Sequence, residues 1–432
     1  MLLAIALILL LPRKYSFAPL LVGTFMIPLG QVVVLAGIHF TVLRILIIAG
    51  LVRRLWAPKA EEFKGGFNII DRYTVLWTLA GFIVLSLQWM ELQATIANLG
   101  DLLDRLGGFL ALRFMIQDKG DLKRAVKLFA VICLIMGVCM LNEQITDLNV
   151  FGLVGGTWLH PPIREGQIRS TGAFGSYIDA GVFGALLIPL FIWLWSTGSS
   201  SRRAAAAGIV GAILMSLTSH TSTAPTSSAA GVFALCLWPL RERMRTIRQG
   251  IVVMLIGLHM VMKAPVWALI NRVDITGSSS SYHRYNLVNN CIIHFSYWWL
   301  LGTKIYDTWG WDMWDLSDQY VACAFTGGLI TLMLFIGILS RSFGGIGTAR
   351  KLVRGKKDEW LLWCLGSTVF AMIVSFLGCS FMAQMQMQLF AFLAMISAAM
   401  SDARQTAKAK VSIAKEPIRQ PELEPAAVAI FR

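Results

Sequence analysis

One arginine lies beside small residues and glycine, immediately before a long apolar run. Arg169 is followed by Ser170, Thr171 and Gly172. A guanidinium can bind a phosphate through two parallel hydrogen bonds, and glycine lets backbone amides come close to an anion. The pattern therefore indicates an anion site around Arg169, with an ordinary solvated loop arginine as the alternative.

A second polar segment places histidines and an arginine at helical spacing. Ser281 is a good helix N-cap, and we expect a helix to run from it through His294 to Trp299. At about 3.6 residues per turn, Arg284 and His294 lie on one face, with His283 close to it. Histidine commonly transfers protons in enzymes, so both histidines are candidates for a general base.

Three carboxylates follow at intervals of three residues. Asp312, Asp315 and Asp318 would share one face of a helix, where they could bind a metal or act as general bases. Asp318 stands at the mouth of the next apolar run and is the best base candidate of the three. A solvated acidic turn leading into that run is the alternative interpretation.

Five tryptophans lie between residues 298 and 314, among them Trp298 and Trp299. Amphipathic indole rings favour the depth of the lipid headgroups, so the cluster is typical of an interfacial belt. It would equally form a platform for sugar rings, and both interpretations stay open.

The composition indicates that membrane-spanning helices position these residues. Of 432 residues, 56% are hydrophobic and only 14% are charged, whereas a soluble domain carries roughly 25% charged residues. A helix needs ~20 apolar residues to cross a bilayer. The sequence therefore predicts an all-α polytopic membrane bundle of 12 or 13 helices, and it excludes a soluble enzyme or a nucleic-acid binder. The predicted spans are 1–12, 16–36, 38–52, 73–90, 96–116, 123–141, 178–196, 204–220, 225–240, 250–268, 319–340, 360–378 and 381–400.

The basic residues predict the orientation. Of 38 lysines and arginines, 29 lie in one alternating set of connections and 5 in the other. Basic residues accumulate on the cytoplasmic side, so the N-terminus is predicted outside and the C-terminus inside. Residues 1–400 then form the membrane domain, with long outer loops at 142–177 and 269–318. The tail 401–432, which mixes Lys, Glu, Pro and Ala, is predicted to be disordered.

Ionisable residues also occur inside predicted spans. Arg44 lies deep in its span, and Asp101 and Arg105 have the i, i+4 spacing of an ion pair. Such residues are functional candidates by default, although a structural pair inside the bundle explains them equally well.

Taken together, these features resemble the O-antigen ligase/polymerase family of bacterial membrane glycosyltransferases. The resemblance implies about twelve membrane helices and the transfer of a glycan from undecaprenyl pyrophosphate at the outer face of the inner membrane. The acceptor that it implies is either lipid A core or another lipid-linked glycan. No cofactor is expected, and no metal is required if Arg169 and Arg284 supply the charge. The matching residues are Arg44-Ile45-Leu46, Arg169 to Gly172, Arg284, Trp299-Leu300-Leu301-Gly302-Thr303, Asp318-Gln319-Tyr320 and Gly327-Gly328-Leu329-Ile330.

The resemblance assigns pyrophosphate binding to Arg169 and Arg284, but two departures affect the rest of the site. The family often has a histidine at the exit of the large outer loop, where this chain has Asp318. The base would then be Asp318 itself, or His283 or His294 reaching in from the preceding helix. The family's Ser-Arg-Gly motif is replaced by residues 223–228, which contain no arginine.

Two other functions stay open on the sequence. One is a transporter or flippase for a lipid-linked glycan, although the chain shows no internal repeat of the kind many transporters have. The other is a non-catalytic component of a polysaccharide export assembly. In each case the expected partners are the undecaprenyl-pyrophosphate glycan, an acceptor and membrane lipids.

Overall fold

The computed structural model describes residues 1–35, 38–56, 65–272, 280–353 and 355–415. It is all-helical, with 77% of the chain in helices. The helices are α1 (Leu2–Leu10), α2 (Arg13–Met26), α3 (Val42–Trp56), α4 (Ile69–Trp89), α5 (Leu92–Leu102), α6 (Gly108–Met115), α7 (Lys119–Thr146), α8 (Tyr177–Ser196), α9 (Ser199–Thr218), α10 (Thr223–Cys236), α11 (Met244–Val261), α12 (Ser280–Ile293), α13 (Phe295–Trp298), α14 (Gln319–Leu352), α15 (Lys356–Ser375) and α16 (Gln384–Lys415).

Among the described residues, six helical segments are long and apolar enough to cross a membrane. They are Ile69–Trp89, Lys119–Thr146, Tyr177–Ser196, Trp238–Val261, Gln319–Leu352 and Lys356–Ser375. Every predicted span overlaps a helix, but α1, α2, α3 and α10 have 9, 14, 15 and 14 residues. At ~1.5 Å per residue these four are shorter than the ~30 Å hydrocarbon layer. The membrane character is therefore supported, and the count of 12 or 13 spans stays a prediction.

The predicted span 16–36 is wrong in its second half. The helix ends at Met26, and β1 (Val32–Leu35) pairs antiparallel with β2 (Ile38–Thr41). Pro28 disfavours helical backbone at the residue before it, and Ile27 is extended with φ −105° and ψ 124°. The valines that follow are β-branched and favour a strand. A second short hairpin, β3 (Ile163–Arg164) with β4 (Gln167–Ile168), precedes Arg169.

The central element is α16, which is buried on all sides from Gln384 to Ser401. A helix that is apolar all round belongs in the interior of a bundle, and this one packs against α6, α7 and α14. It continues to Lys415, beyond the predicted start of a disordered tail at residue 401. Residues 401–415 are mostly good helix formers such as Ala, Lys, Arg and Gln, which explains the extension. Residues 416–432 lie outside the described part of the chain.

A break in α14 fastens the second polar segment to the bundle. Gly328 has φ 66° and ψ −172°, so the helix is interrupted there. The Leu329 N–H donates to Trp299 O at 2.9 Å, and the Thr303 N–H donates to Phe325 O at 2.8 Å. Two segments matched by the family resemblance therefore hold each other in place.

We expect Gly328→Ala to destabilise the protein by about 2–4 kcal/mol. The left-handed backbone disfavours any Cβ, and a Cβ built there would lie 2.5 Å from Leu300 O. Gly344→Ala is the matched control, because a Cβ on that glycine of the same helix meets nothing within 4 Å. Thermal unfolding in detergent measures the difference, and equal melting temperatures for the two variants would contradict this account of the break.

Candidate functional site

Arg169 and Arg284, which are far apart in the chain, line one small cavity. Its volume of about 90 Å³ suits a phosphate group better than a whole glycan. The other lining residues are Arg164, Tyr177, Ile178, His220, Thr221, Ser222, Thr223, His283, Trp311, Asp312, Asp315, Ser317 and Gly378. Three arginines therefore face a volume that is otherwise lined largely by hydroxyl, imidazole and carboxylate groups.

Arg284 projects from α12 toward the first turn of α10. Its Nη2 donates to Thr223 Oγ1 at 2.8 Å, and its Nη1 donates to Ser222 Oγ at 3.4 Å. A Cβ on Gly378 would lie 3.0 Å from the guanidinium carbon, so the absence of a side chain there leaves room for the arginine. The α12 helix is anchored by Leu287, which is fully buried.

Arg169 is held in the cavity wall with only 9% of the residue exposed. Its guanidinium lies 5.0 Å above the Tyr177 ring, and its Nε has no hydrogen-bond partner among the described residues. A buried donor without a partner costs about 1–3 kcal/mol, so such a group is typical of a site that a ligand completes.

The backbone next to Arg169 is fixed by a buried carboxylate. The Thr171 and Gly172 N–H groups donate to the two Glu143 oxygens at 2.9 and 3.0 Å. The Ser170 N–H donates to Thr218 O at 3.1 Å. Charge-assisted bonds of this kind are strong, so Arg169 projects from a rigid segment rather than from a loose loop.

His283 lies on the opposite wall in a defined orientation. Its Nε2 is 2.9 Å from Asp312 O, and its Nδ1 is 3.4 Å from Ser317 Oγ. A carbonyl only accepts, so Nε2 carries the hydrogen and Nδ1 of the neutral ring presents a lone pair. Because of this orientation, His283 Nδ1 is a potential proton acceptor at the edge of an arginine-rich cavity. Burial raises the pKa of the neighbouring Asp315 carboxyl.

The same wall contains a set of groups that could hold a metal ion. One atom each of His283, Asp312 and Asp315 lies within 4.8 Å of the other two. His283 Nε2 already contacts a carbonyl, and the arginines on the same cavity also attract the carboxylates. The two carboxylates can therefore serve as counter-charges for the arginines as well as ligands.

The other predicted site residues lie elsewhere. His294 stacks on Trp309, with ring centroids 4.2 Å apart, and does not line the cavity. Trp298 is 3% exposed and donates its indole N–H to Cys291 O, so it offers no open face to a sugar. Trp299 is 47% exposed, as either a belt or a sugar contact requires.

The predicted helical face of three aspartates is wrong. Residues 310–318 form turns and irregular backbone, and Asp312 has a positive φ of 60°. Asp312 and Asp315 line the cavity, but Asp318 is fully buried and does not. Its Oδ1 accepts from the Tyr320 and Val321 N–H groups, so it is the N-cap of α14.

We expect Asp318→Asn to keep the fold. The amide oxygen replaces the cap, and the buried charge is removed. Burial raises the pKa of Asp318 from 3.8 to about 6 against the opposing hydrogen bonds. The stability associated with this shift is fully present below pH 3.8 and is lost as the pH rises through about 6. The melting temperature of the variant should therefore equal or exceed that of the wild type at pH 8. The difference between the two melting temperatures should become smaller toward pH 5.

Asp318→Ala is the comparison, because loss of the cap costs about 1 kcal/mol. Melting curves in detergent check both variants. An Asn variant that melts at as low a temperature as Asp318→Ala would contradict this account of the cap.

Two cavity residues escaped sequence reasoning. Arg164 was visible only as one of five outer basic residues, and His220 stood in no motif. Burial and the nearby Arg169 charge lower the pKa of His220. Thr223, the first residue of the segment that replaces the family's Ser-Arg-Gly motif in the resemblance, and its neighbour Ser222 accept hydrogen bonds from Arg284.

A second cavity of about 250 Å³ lies beyond the segments 315–319 and 378–382. Ser317 and Gly378 line the first cavity, whereas Leu316 and Ser380 line the second. Its polar lining residues are Trp77, Thr78, Asn98, Asp101, Arg105, Gln319, Thr326, Thr331, Ser380 and Gln386. Arg105 Nε and Thr331 Oγ1 are buried there with no hydrogen-bond partner among the described residues. The second cavity therefore offers uncharged and charged polar contacts for a hydroxyl-rich ligand.

The three ionisable residues singled out inside the predicted spans, Arg44, Asp101 and Arg105, form ion pairs. Arg44 binds Asp104, with the closest atoms 2.7 Å apart. Arg105 pairs with Asp101 at 3.0 Å, as the i, i+4 spacing predicts. The second pair lines the second cavity, in agreement with the rule that such residues face the interior or a polar opening.

No protein-family model matches the chain, and no curated protein is significantly similar to it.

Proposed function

We propose that this protein is a membrane glycosyltransferase that moves a glycan from undecaprenyl pyrophosphate to a hydroxyl-bearing acceptor at the outer face of a bacterial inner membrane. The observation that supports it best is the convergence of Arg169 and Arg284 on one cavity. The buried Arg169 Nε without a hydrogen-bond partner is a further argument for an anionic ligand.

In this proposal the arginines stabilise the leaving group. The acceptor oxygen attacks the anomeric carbon of the donor sugar, and the bond from that carbon to the pyrophosphate oxygen breaks. The electron pair stays with the pyrophosphate, whose added charge Arg169 and Arg284 bind. Fixed charges at a low-dielectric boundary stabilise such developing charge strongly.

His283 takes the acceptor proton. Its Nδ1 presents a lone pair toward Ser317 Oγ, and its Nε2–H is held by Asp312 O. A positioned base typically contributes about 10²–10⁴-fold to the rate. His283 is the only one of the three predicted base candidates that lines the cavity within the described residues.

The second cavity is assigned to the acceptor. It shares a wall with the first through the segments 315–319 and 378–382, so an acceptor bound there would approach the donor from the opposite side. The amide side chains of Asn98, Gln319 and Gln386 suit a sugar or a lipid-linked glycan. The assignment leaves the choice between ligase and polymerase to the identity of the acceptor.

A flippase is the second candidate, because transporters often contain broken helices, and α14 is broken at Gly328. Here the break is occupied by backbone hydrogen bonds from residues 299–303, which favours a structural role.

Reconstituted protein with a labelled undecaprenyl-pyrophosphate glycan and an acceptor separates the two functions. Release of undecaprenyl pyrophosphate with glycosylated acceptor supports the transferase. Unchanged donor that moves between leaflets supports the flippase, and unchanged donor without movement supports a non-catalytic component of an export assembly.

A further inference from the structure

A cleft at the other end of the bundle is separate from both cavities. It lies between α10, α11, α14 and α15 and has a volume of about 360 Å³. Its lining is almost entirely apolar and includes Phe233, Ile247, Ile251, Phe343, Trp363 and Phe370. Arg248 and Arg350 lie among the lining residues at one end.

The cleft exists because α11 stands apart from the bundle. None of its 18 residues is buried, and it packs on the short segments Trp238–Arg243 and Val266–Arg272 that flank it. The same segment is one of the six apolar enough to cross a membrane. In a bilayer the space between such a helix and the bundle is open to lipid chains.

The arginine end of the cleft has an excess of positive charge. Arg241 and Arg350 share one carboxylate, Glu359, at 3.1 and 2.8 Å. Arg350 Nε is buried with no hydrogen-bond partner in the part of the chain described. Arg248 Nε donates to its own helix, at Met244 O, and among the described residues it has no other partner. Arg241 also lies 3.9 Å from Glu242, so two carboxylates accompany three guanidinium groups. Among the described residues no carboxylate forms an ion pair with Arg248, and this excess of positive charge favours an anionic ligand there.

The depth of the cleft matches one leaflet. Its wall on α15 runs from Leu362 to Ile373, about 16 Å at ~1.5 Å per residue. That is about half of the ~30 Å hydrocarbon layer. The positive-inside rule assigns the arginine end to the cytoplasmic surface, where basic pockets between helices bind anionic headgroups.

From these observations we infer that the cleft is a binding site for an anionic phospholipid of the cytoplasmic leaflet. The phosphate contacts Arg248 and Arg350, and an acyl chain fills the apolar cleft. The inference does not depend on the proposed glycosyl transfer.

The test is native mass spectrometry of protein extracted from vesicles of equal parts phosphatidylglycerol and phosphatidylcholine. We expect phosphatidylglycerol to be retained, and the double variant Arg248→Gln/Arg350→Gln to lower its retention on the order of tenfold. The control variant is Arg202→Gln, which changes an exposed arginine on α9.

A second variant fills the cleft without touching the ion pairs. Gly347→Phe places a ring in the cleft, where a Cβ meets nothing within 4 Å, and it should expel the lipid. Gly344→Phe is the matched control on the same helix, outside the cleft, and should leave retention unchanged. Equal retention of the two phospholipids, unchanged retention in Gly347→Phe, a bound polyprenyl lipid or a dimer abolished by Gly347→Phe would each overturn the inference.

Discussion

Replacing either Arg169 or Arg284 by alanine should reduce glycan transfer by at least about 10²–10³-fold while the protein still inserts into the membrane. Removal of one preorganised donor to a developing negative charge typically has an effect of this size. Arg169 and Arg284 both line the cavity, so the two substitutions should give similar losses. The initial rate of undecaprenyl-pyrophosphate release from reconstituted protein measures the effect.

Arg284→Lys should recover little of this rate. The two terminal nitrogens of the Arg284 guanidinium donate to Ser222 and Thr223, and the group also lines the cavity. A lysine ammonium cannot reproduce this geometry. Arg202→Ala is the control for the loss of a positive charge, because it alters an exposed residue on α9. Normal transfer in both the Arg169→Ala and the Arg284→Ala variants would remove the basis of the assignment.

Substitution of the proposed base should have the second largest effect. His283→Asn should lower transfer by about 10²–10⁴-fold and leave donor binding nearly unchanged. The asparagine amide lies near the position of Nδ1, where it can still contact Ser317 Oγ, but it cannot accept a proton as the imidazole does. Single-turnover transfer measures the chemical step, and binding of labelled undecaprenyl pyrophosphate measures donor affinity separately.

His294→Phe is the matched control for this prediction. It preserves an aromatic ring on Trp309 and lies outside the cavity, so transfer should stay near the wild-type rate. If His294→Phe abolished transfer and His283→Asn did not, the base would have been assigned to the wrong histidine.

Much of the helical architecture follows from apolar periodicity and length, and local chemistry explains the exceptions. Each predicted span overlaps a helix because uninterrupted apolar runs leave few alternatives in a membrane. The pairing of strands 32–35 and 38–41 was not predicted, because a run of valines is as apolar as a membrane-spanning helix. Pro28 was the one local signal that the helix ends before these strands. The break at Gly328 depends on backbone contacts with residues 299–303, which no local pattern encodes.

The sequence points to residues of the candidate site where residue type alone dictates the chemistry. Arg169 and Arg284, which line one cavity, stand out because the predicted orientation places them on the outer side, against the charge bias of membrane proteins. The choice among Asp318, His283 and His294 was not predictable, since it depends on how the segment 310–318 turns. The spacing of three residues predicts a helix at 312–318, but the chain turns there. Asp318 is instead the N-cap of α14.

Trp298 illustrates the same limit. Its sequence position fitted a sugar platform or a membrane belt, but its indole is packed among Leu287, Met313 and Phe325. Burial of one tryptophan and exposure of its neighbour Trp299 follow from the side of α13 that meets α14. The amino-acid composition of the segment cannot tell which of the two tryptophans is buried and which is exposed.

The most direct measurement is an electron cryomicroscopy structure of the protein in lipid nanodiscs with undecaprenyl pyrophosphate bound. The proposed function predicts density for the pyrophosphate between the guanidinium groups of Arg169 and Arg284, within hydrogen-bond distance of both. His283 should lie at the side where the glycosyl group would be attached. Pyrophosphate density elsewhere, with the arginine cavity empty, would contradict the account.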